Sequence, residues 1–257
     1  MGCHHDAGLH IPWAPWPPTH PPTIPNVPAT EANLDENAEH VLSPDLTETQ
    51  QDDVSTLLQR YPDRFATGST TGKTNVVTHR IDTGDAPPIK VRPHRQSPAA
   101  HQVVRGNVQS MLSSGTIQHS ESNYASCVVL VKKKNGTYRV WIDFRPLKNV
   151  TCKDSYPLPR TDEVLNEFGR AQWFSKLDLK SGYWQIVVEP EDRHKTAFMT
   201  RDGLFEFLVM PFGLTSAPAT FQRLMDRVLS DLLWHKVMVY LDDIIIYSET
   251  WQEHLAG

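Results

Sequence analysis

Two adjacent carboxylates, Asp242 and Asp243, lie inside the apolar run VMVYLDDIIIYS, residues 237–248. Burying an ionised carboxylate without a partner is strongly unfavourable, and two neighbouring carboxylates also repel each other. Either a turn carries the pair into water or cations meet it there. A third acid, Asp178, ends the strand-like run WFSKL. If that strand lies beside the hairpin that carries Asp242 and Asp243, three carboxylates converge at one edge of a sheet.

Clustered carboxylates become favourable when hard divalent cations bind them. Mg²⁺ prefers carboxylate oxygens and keeps positions open for substrate phosphates, and a pair of such ions supports in-line phosphoryl transfer. The alternative is a solvated β-turn with Asp178 an unrelated surface acid, and the letters LDD alone favour it. The flanking residues Tyr240, Leu241 and 244–246 provide no water-seeking loop, and this favours the cation site.

The elements that must position these acids follow from periodicity. Apolar spacing predicts a helix within residues 46–66 that Pro62 ends. It also predicts helices in residues 99–115, 160–169 and 215–234, the last with Pro218 near its first turn. Thr161 or Asp162 is predicted to cap the third helix and Gly169 to end it. Asn135-Gly136 between two β-rich runs predicts a hairpin. The residues around Asp178 predict a strand and a turn. Together these elements predict an α+β fold with an antiparallel sheet backed by helices.

Composition excludes several classes of protein. Three cysteines form no metal-like spacing, which argues against a secreted disulfide scaffold, and no apolar run is long enough for a bilayer span. Residues 1–60 hold nine acidic side chains and one basic side chain, whereas the remainder has a small excess of Lys and Arg. The proline-dense residues 11–28 predict an extended spacer. The DTGD at 82–85 matches the aspartic protease signature, but it has no second copy and Pro87 and Pro88 follow it.

Eight ordered blocks carry a family resemblance. They are HRIDTGDAPPIK, MLSSGTIQHSESNYAS, VVLVKKKNGTYRVWIDFRPLKNVT, YPLPRTDEVL, FSKLDLKSGYWQI, KTAFMT, FEFLVMPFGLTSAPATFQRLMD and YLDDIIIYS, within residues 79–257. The chain resembles the reverse transcriptase of gypsy-like LTR retrotransposon Pol polyproteins. The resemblance implies a right-hand polymerase with fingers and an antiparallel palm, and it excludes the protease interpretation of DTGD. The implied organisation is a Pro-rich, acidic, disordered leader at 1–45, a connecting segment at 46–98, and fingers and palm at 99–257.

The resemblance also implies residue roles. Asp178 and Asp242 hold two Mg²⁺ ions, with Mn²⁺ as an alternative, the Leu179 carbonyl assists, and Asp243 completes the cluster. Lys133 and Arg139 grip the triphosphate, although Lys132 or Lys134 could take the place of Lys133. Tyr183 lies under the sugar, where a ring excludes a 2′-hydroxyl, and Phe212 and Gly213 lie beside the nucleotide. For Tyr183 the alternative is core packing, and for the lysines a solvated hairpin tip.

Several residues depart from the family pattern. Cys127, Trp141 and Lys148 replace a common proline, cysteine and asparagine, and Phe212 stands where retroviral enzymes carry glutamine, as is usual in the retrotransposon branch. The sequence ends soon after the YLDD hairpin, before the thumb, connection, RNase H and integrase regions of the family. Since a thumb helps to hold the duplex, a weak or non-processive polymerase is expected.

The predicted function is RNA-directed DNA synthesis on a primed RNA or DNA template with deoxynucleoside triphosphates. The alternative is a truncated or host-adopted remnant that at most binds nucleic acid. An RNA-templated RNA polymerase is disfavoured by Tyr183. We expect no membrane association, the rest of the Pol polyprotein as a partner, and a location in cytoplasmic virus-like particles or in the nucleus.

Overall fold

The computed structural model describes residues 42–43, 45–61, 72–93, 95–132, 138–179, 181–240 and 243–256. The chain divides into two compact units, one ending at Arg60 and one beginning at Tyr61, and each is described by itself. No helix in these ranges is long and apolar enough to cross a bilayer. The predicted boundaries after residues 45 and 98 stay predictions.

Among the described residues of the first unit there is one helix, α1 (Glu48–Gln59). The Thr47 side chain accepts a hydrogen bond from Gln50 N, and the Gln50 side chain accepts one from Thr47 N. This reciprocal cap satisfies two backbone donors that the first turn leaves unpaired. The helix predicted within residues 46–66 is therefore present, and it ends before the sequence reaches Pro62.

Besides two 3₁₀ helices, Gly182–Gln185 and Pro190–Thr196, the second unit contains fifteen α-helices and strands among the described residues. In chain order they are β1 (Thr74–His79), α2 (Pro98–Ser113), β2 (Ile117–His119), β3 (Ser126–Lys132), β4 (Tyr138–Asp143), α3 (Arg145–Val150), α4 (Thr161–Glu167), β5 (Trp173–Asp178), β6 (Ile186–Val188), β7 (Phe198–Thr200), β8 (Gly203–Phe207), α5 (Ala217–Val228), β9 (Val237–Tyr240), β10 (Asp243–Ser248) and α6 (Trp251–Ala256).

A three-stranded antiparallel sheet has the order β5-β10-β9. Both faces of β9 are covered, because Val237 and Val239 join the main core while Met238 packs with Val164 and Tyr247 in a second cluster. Coverage of both faces explains why this stretch is an unbroken apolar run rather than an alternating one. The predicted antiparallel sheet is present here.

A five-stranded sheet has the order β2-β8-β7-β3-β4, and β1 and β6 form a separate pair. Two of these pairings, β3 with β7 and β1 with β6, are parallel. The sequence analysis did not predict them, because parallel strands are joined by long crossovers that leave no local signal. The strands predicted on either side of Asn135-Gly136 are β3 and β4, and the turn itself lies outside the described residues.

Helix α5 supports both the core and the three-stranded sheet. Phe221, Leu224 and Met225 are buried, as the helical spacing predicts. The helix ends at Val228, which is exposed, so the prediction of a helix that continues to residue 234 was wrong. Helix α4 begins directly after Arg160, whose backbone N–H donates to Glu163, so neither Thr161 nor Asp162 is the cap.

Candidate active site

The ends of β5 and β10 bring the predicted acids to one sheet edge. In the antiparallel register Asp178 is the direct Cα partner of Asp243, and Asp243 is also the partner of Tyr240 at the end of β9. Directly opposed Cα atoms in such ladders lie roughly 4.5–5.5 Å apart. The predicted meeting of the strand end at 178 with the hairpin is therefore present in the backbone. Residue 242 and the side chain of Asp178 lie outside the described part of the structure.

The carboxylate of Asp243 has a cationic partner that the sequence analysis missed. Lys176 Nζ lies 2.9 Å from Asp243 Oδ1, and both side chains are well exposed. Lys176 stands two positions before Asp178 on β5. Alternate residues of a strand share a face. A lysine two positions before Asp178 on a predicted strand could therefore have revealed this ion pair.

The donor set suits a hard divalent ion. Strand register brings carboxylate-bearing residues together, and the Leu179 carbonyl adds an oxygen next to Asp178, which matches the ligand preference of Mg²⁺. The cationic Nζ of Lys176 at Asp243 indicates that this edge accepts positive charge. Among the described side chains no group of three metal-ligating residues is present. By residue type the edge suits the ion, and Asp178, Leu179, Asp242 and Asp243 are the residues predicted to hold it.

A tight turn links β5 to the predicted nucleotide pocket. The carbonyl of Leu179 accepts a hydrogen bond from Gly182 N at 3.0 Å, and Ser181 has the left-handed φ of 49°. A carbonyl oxygen has two lone pairs, so the one bond leaves capacity for a further interaction. A Cβ on Gly182 would lie 3.0 Å from the Phe221 ring, so glycine is needed for the approach of α5.

Tyr183 follows this turn and contacts Phe212, the chain neighbour of Gly213. The rings of Tyr183 and Phe212 are stacked with centroids 5.0 Å apart, and Phe221 lies on Tyr183 at 5.3 Å. Tyr183 is only 6% exposed, whereas Phe212 is 38% exposed, so Phe212 presents the accessible aromatic surface of the pair. Gly213 has a φ of 95°, which favours glycine, and its missing Cβ would face the Phe144 ring.

The predicted phosphate-binding cations belong to a different sheet. Arg139 lies on β4, with its guanidinium carbon 5.9 Å from the centroid of the Trp141 ring. Both side chains are exposed, and Val131, the register partner of Arg139, is exposed with them. Lys133 and Lys134 lie outside the described residues, so the choice among the three lysines stays open. Trp141, which departs from the family pattern, has a defined role here as the surface on which Arg139 rests.

Two buried groups close to these elements have shifted pKa values. Burial lowers the pKa of His79 to about 4, against the opposing influence of Asp192 and Asp154. His79 Nδ1 lies 2.9 Å from Thr220 Oγ1, which joins β1 to α5. Burial also raises the pKa of the Cys127 thiol on β3. A neutral imidazole and a neutral thiol therefore serve as packing groups here.

Comparison with known proteins identifies the family. The family described as "Reverse transcriptase (RNA-dependent DNA polymerase)" matches residues 131–257. An RNA-directed DNA polymerase homolog from Oenothera berteroana is 52% identical over 120 residues, which cover 46% of this chain and 84% of that relative. The chain belongs to the reverse transcriptase family. The expectation from the eight sequence blocks is thereby confirmed.

Other relatives place this reverse transcriptase chain among transposon sequences. The Pol polyprotein of transposon 297 from Drosophila melanogaster is 43% identical over 71% of the chain, and that of transposon gypsy is 39% identical over 70%. The chain spans about a fifth of their length, 18% in each case. A foamy viral protease-reverse transcriptase in complex with an RNA/DNA hybrid gives a TM-score of 0.73 at 21% identity, covering 82% of this chain and 28% of that one.

The structural likeness confirms the predicted fold class, fingers and palm of a reverse transcriptase. We therefore call the β5-β10-β9 sheet with α5 the palm, and the β2-β8-β7-β3-β4 sheet the fingers. The palm edge holds Asp178 opposite Asp243, with Leu179 and Tyr183 close by in the chain and Phe212 stacked on Tyr183. Arg139 is placed on the fingers. The roles assigned to all these residues stay predictions.

Proposed function

We propose that this chain carries the catalytic centre of an RNA-directed DNA polymerase. The observation that carries the proposal is the register that sets Asp178 opposite Asp243 at the open end of the palm sheet. That edge gathers oxygen donors of the kind that phosphoryl-transfer enzymes use to hold divalent ions. When bound, Mg²⁺ lowers the pKa of a coordinated hydroxyl and neutralises charge on phosphate oxygens.

In the proposed reaction the 3′-hydroxyl of a primer loses its proton to water, and its oxygen forms a bond to the α-phosphorus of a deoxynucleoside triphosphate. The bond from that phosphorus to the bridging oxygen breaks, and pyrophosphate leaves with the electron pair. Asp178, Asp242 and Asp243 would hold the ions, and the Leu179 carbonyl would add an oxygen. Arg139 and Lys133 neutralise charge on the leaving phosphates, which a guanidinium does through several N–H donors.

The aromatic pair of Tyr183 and Phe212 forms the wall against which the sugar packs. Tyr183 is fixed between Phe212 and Phe221, so its ring cannot move aside without disturbing α5. A rigid ring at this place would leave no room for a 2′-hydroxyl, and deoxynucleotides would be preferred. Gly213 lets the backbone approach the nucleotide because it carries no Cβ.

The experiment is primer extension on an RNA template with Mg²⁺ and the four deoxynucleoside triphosphates. We expect incorporation that Asp242→Asn abolishes, because an amide is a weaker ligand for a hard cation than a carboxylate. Asp202→Asn is the matched control, since that acid pairs with Arg105 on the surface. Incorporation that survives Asp242→Asn would exclude this site. Binding of primed template without any incorporation would favour the alternative, a non-catalytic nucleic-acid-binding remnant.

A further inference from the structure

Strand β5, which ends at Asp178, is an edge strand of the palm sheet. The order β5-β10-β9 gives it one neighbour, β10, among the described strands. Side chains hold its two faces. Phe174 packs against Phe168 at the end of α4 with ring centroids 5.4 Å apart, and Trp173 packs against Trp251 of α6 at 4.8 Å. An edge strand has backbone pairing on one side alone, so the position of Asp178 depends on such face contacts.

His254 on α6 adds a polar contact that reaches both strands of the candidate site. Its Nε2 lies 2.8 Å from Ser175 Oγ on β5, and its Nδ1 lies 3.0 Å from Ser248 Oγ on β10. Ser175 stands three residues before Asp178. One imidazole therefore joins the strand that carries Asp178 to the strand that carries Asp243, in addition to the backbone ladder between them.

The neighbouring contacts fix which ring nitrogen of His254 carries the proton. The Ser248 hydroxyl lies 3.0 Å from the Thr250 carbonyl oxygen and donates to it, because a carbonyl only accepts. The Ser248 oxygen then accepts from Nδ1–H of His254, which leaves Nε2 as the acceptor for the Ser175 hydroxyl. Burial lowers the pKa of His254, which favours this neutral form. The neutral imidazole thus satisfies all of these contacts in one orientation.

We propose that His254 is a positioning residue that fixes the strand of Asp178 through its hydrogen bond to Ser175. Because adjacent residues of a strand point to opposite faces, this bond and the Lys176–Asp243 ion pair hold β5 from its two sides. Groups that share divalent ions must be held close to their productive geometry, and a small displacement lowers the rate. The inference rests on the proposed function, because the effect of His254 is exerted on the same carboxylate edge.

The test uses the full chain and a matched pair of substitutions, His254→Gln and His254→Asn. The Gln amide is long enough to place its oxygen near Nε2 and keeps an acceptor for Ser175. The shorter Asn amide reaches the Nδ1 position and keeps the bond to Ser248 instead. Each variant loses one hydrogen bond, so urea unfolding should show similar losses of stability.

The two variants should differ in primer extension. The kcat of His254→Asn should fall about tenfold, because β5 and its acid lose their tether, whereas His254→Gln should fall by less than about twofold. The KM for deoxynucleoside triphosphates should stay within about twofold of the parent in both, since neither alters the nucleotide-binding residues. A purely structural role would lower the two kcat values equally, in line with the similar losses of stability.

Ser175→Ala assigns the contact. It removes the hydroxyl that donates to Nε2, so kcat should fall about tenfold, as in His254→Asn. Combining Ser175→Ala with His254→Asn should cost no more than either alone, because both remove the same hydrogen bond. His119→Asn is the matched control and should leave kcat unchanged, since His119 lies on β2 of the fingers and packs against the Phe205 ring with centroids 4.9 Å apart.

Amide hydrogen exchange in β5 provides a readout that needs no catalysis. Exchange should rise in β5 of His254→Asn and stay close to that of the parent in His254→Gln. Equal kcat in these two variants, equal β5 exchange in them, or additive losses in Ser175→Ala and His254→Asn would each overturn the inference. If the parent chain incorporates no nucleotide, the proposed function fails, and the exchange comparison still decides whether His254 fixes β5.

Discussion

The palm pair β5–β10 and the fingers pair β3–β4 are both antiparallel ladders that present charged side chains, but they are supported differently. In the palm, β10 lies between two strands, and its residues pack into two apolar clusters. In the fingers, β4 is an edge strand, and Tyr138, Arg139 and Trp141 stand exposed on it. The carboxylate edge is therefore held by packing on several sides, whereas Arg139 is held by one surface ring.

This difference suits the two proposed tasks. Carboxylates that share divalent ions must be held close together against their mutual repulsion, which requires a rigid support. A cation that grips a triphosphate must close on a substrate that arrives and departs, which an edge strand with an open face permits. Substitutions and pH can test whether the palm edge is the more rigid of the two regions and the fingers strand the more exposed.

The largest expected effect is loss of packing in the palm. Ile244 on β10 is 8% exposed within the main core, and Ile244→Ala should lower the free energy of unfolding by about 3 kcal/mol. Val140→Ala on β4 removes a half-buried side chain and should cost about 1 kcal/mol. Urea unfolding monitored by circular dichroism measures both. Equal costs would contradict the proposed difference in support.

The second-largest effect is a loss of folding stability in acid, which should begin near helix α5. The folded pKa of His79 is about 4, below the ordinary value of 6.5, so in that window the unfolded chain binds a proton that the folded chain excludes. Stability is therefore lost as pH falls from about 6.5 to 4, by up to about 3 kcal/mol for a shift of this size. His79 joins β1 to α5, so amide exchange should rise in α5 and β10 before it rises in β3 and β4.

The control for this pH dependence is His79→Gln, which can still hydrogen-bond to Thr220 but does not titrate. Asp192, Asp154 and Arg223 also act on His79, and all three remain in the variant. The slope of unfolding free energy between pH 6.5 and 4 should become flatter in His79→Gln than in the parent chain. An unchanged slope would assign the acid sensitivity to other groups.

The long helix that packs against the palm sheet could be predicted from the sequence, whereas its end and the short strands could not. Phe221, Leu224 and Met225 repeat at helical spacing, so α5 was predictable, but Leu229 and Leu232 continue that spacing past Val228 and extended the prediction too far. Strands β6, β7 and β2 have three residues each, too few for a period to appear, and β1 pairs with β6 across more than a hundred residues.

In the candidate site, too, the backbone register could be predicted and the side-chain contacts could not. The register of Asp178 with Asp243 follows from strand ends that the motifs marked. The stacking of Tyr183 on Phe212 and the ion pair of Lys176 with Asp243 depend on side-chain geometry between elements distant in the chain. Local patterns identify which residues carry chemistry, whereas tertiary packing decides which of them touch.

A smaller effect is expected at the fingers. Arg139→Ala should raise the KM for deoxynucleoside triphosphates about tenfold, the equivalent of one charge-assisted hydrogen bond. The free energy of unfolding should change by less than about 0.5 kcal/mol because the side chain is exposed. Trp141→Leu, which removes the ring under Arg139, should raise KM by about two- to fourfold. Steady-state primer extension measures the KM of both variants. A clear loss of unfolding free energy in Arg139→Ala would contradict the proposal, because it would show that Arg139 supports the folded fingers.

The smallest expected change in stability concerns the ion pair at the palm edge. Side-chain exposures of 62% for Lys176 and 42% for Asp243 mean that solvent screens the pair, so Lys176→Met should alter the free energy of unfolding by less than about 0.5 kcal/mol. Its consequence should appear in metal use instead. If Asp243 holds a divalent ion as proposed, Lys176 competes with that ion for the carboxylate, and its removal should lower the half-saturating Mg²⁺ concentration about threefold.

The matched control is Arg105→Met, which removes an exposed ion pair with Asp202 away from the palm and should leave the Mg²⁺ dependence unchanged. Titration of Mg²⁺ in primer extension, together with urea unfolding of both variants, separates the two effects. If Lys176→Met instead raised the Mg²⁺ requirement, Lys176 would hold Asp243 in a metal-ready position rather than compete for it. The palm edge would then be organised by its charges as well as by its packing, and the contrast with the fingers would narrow.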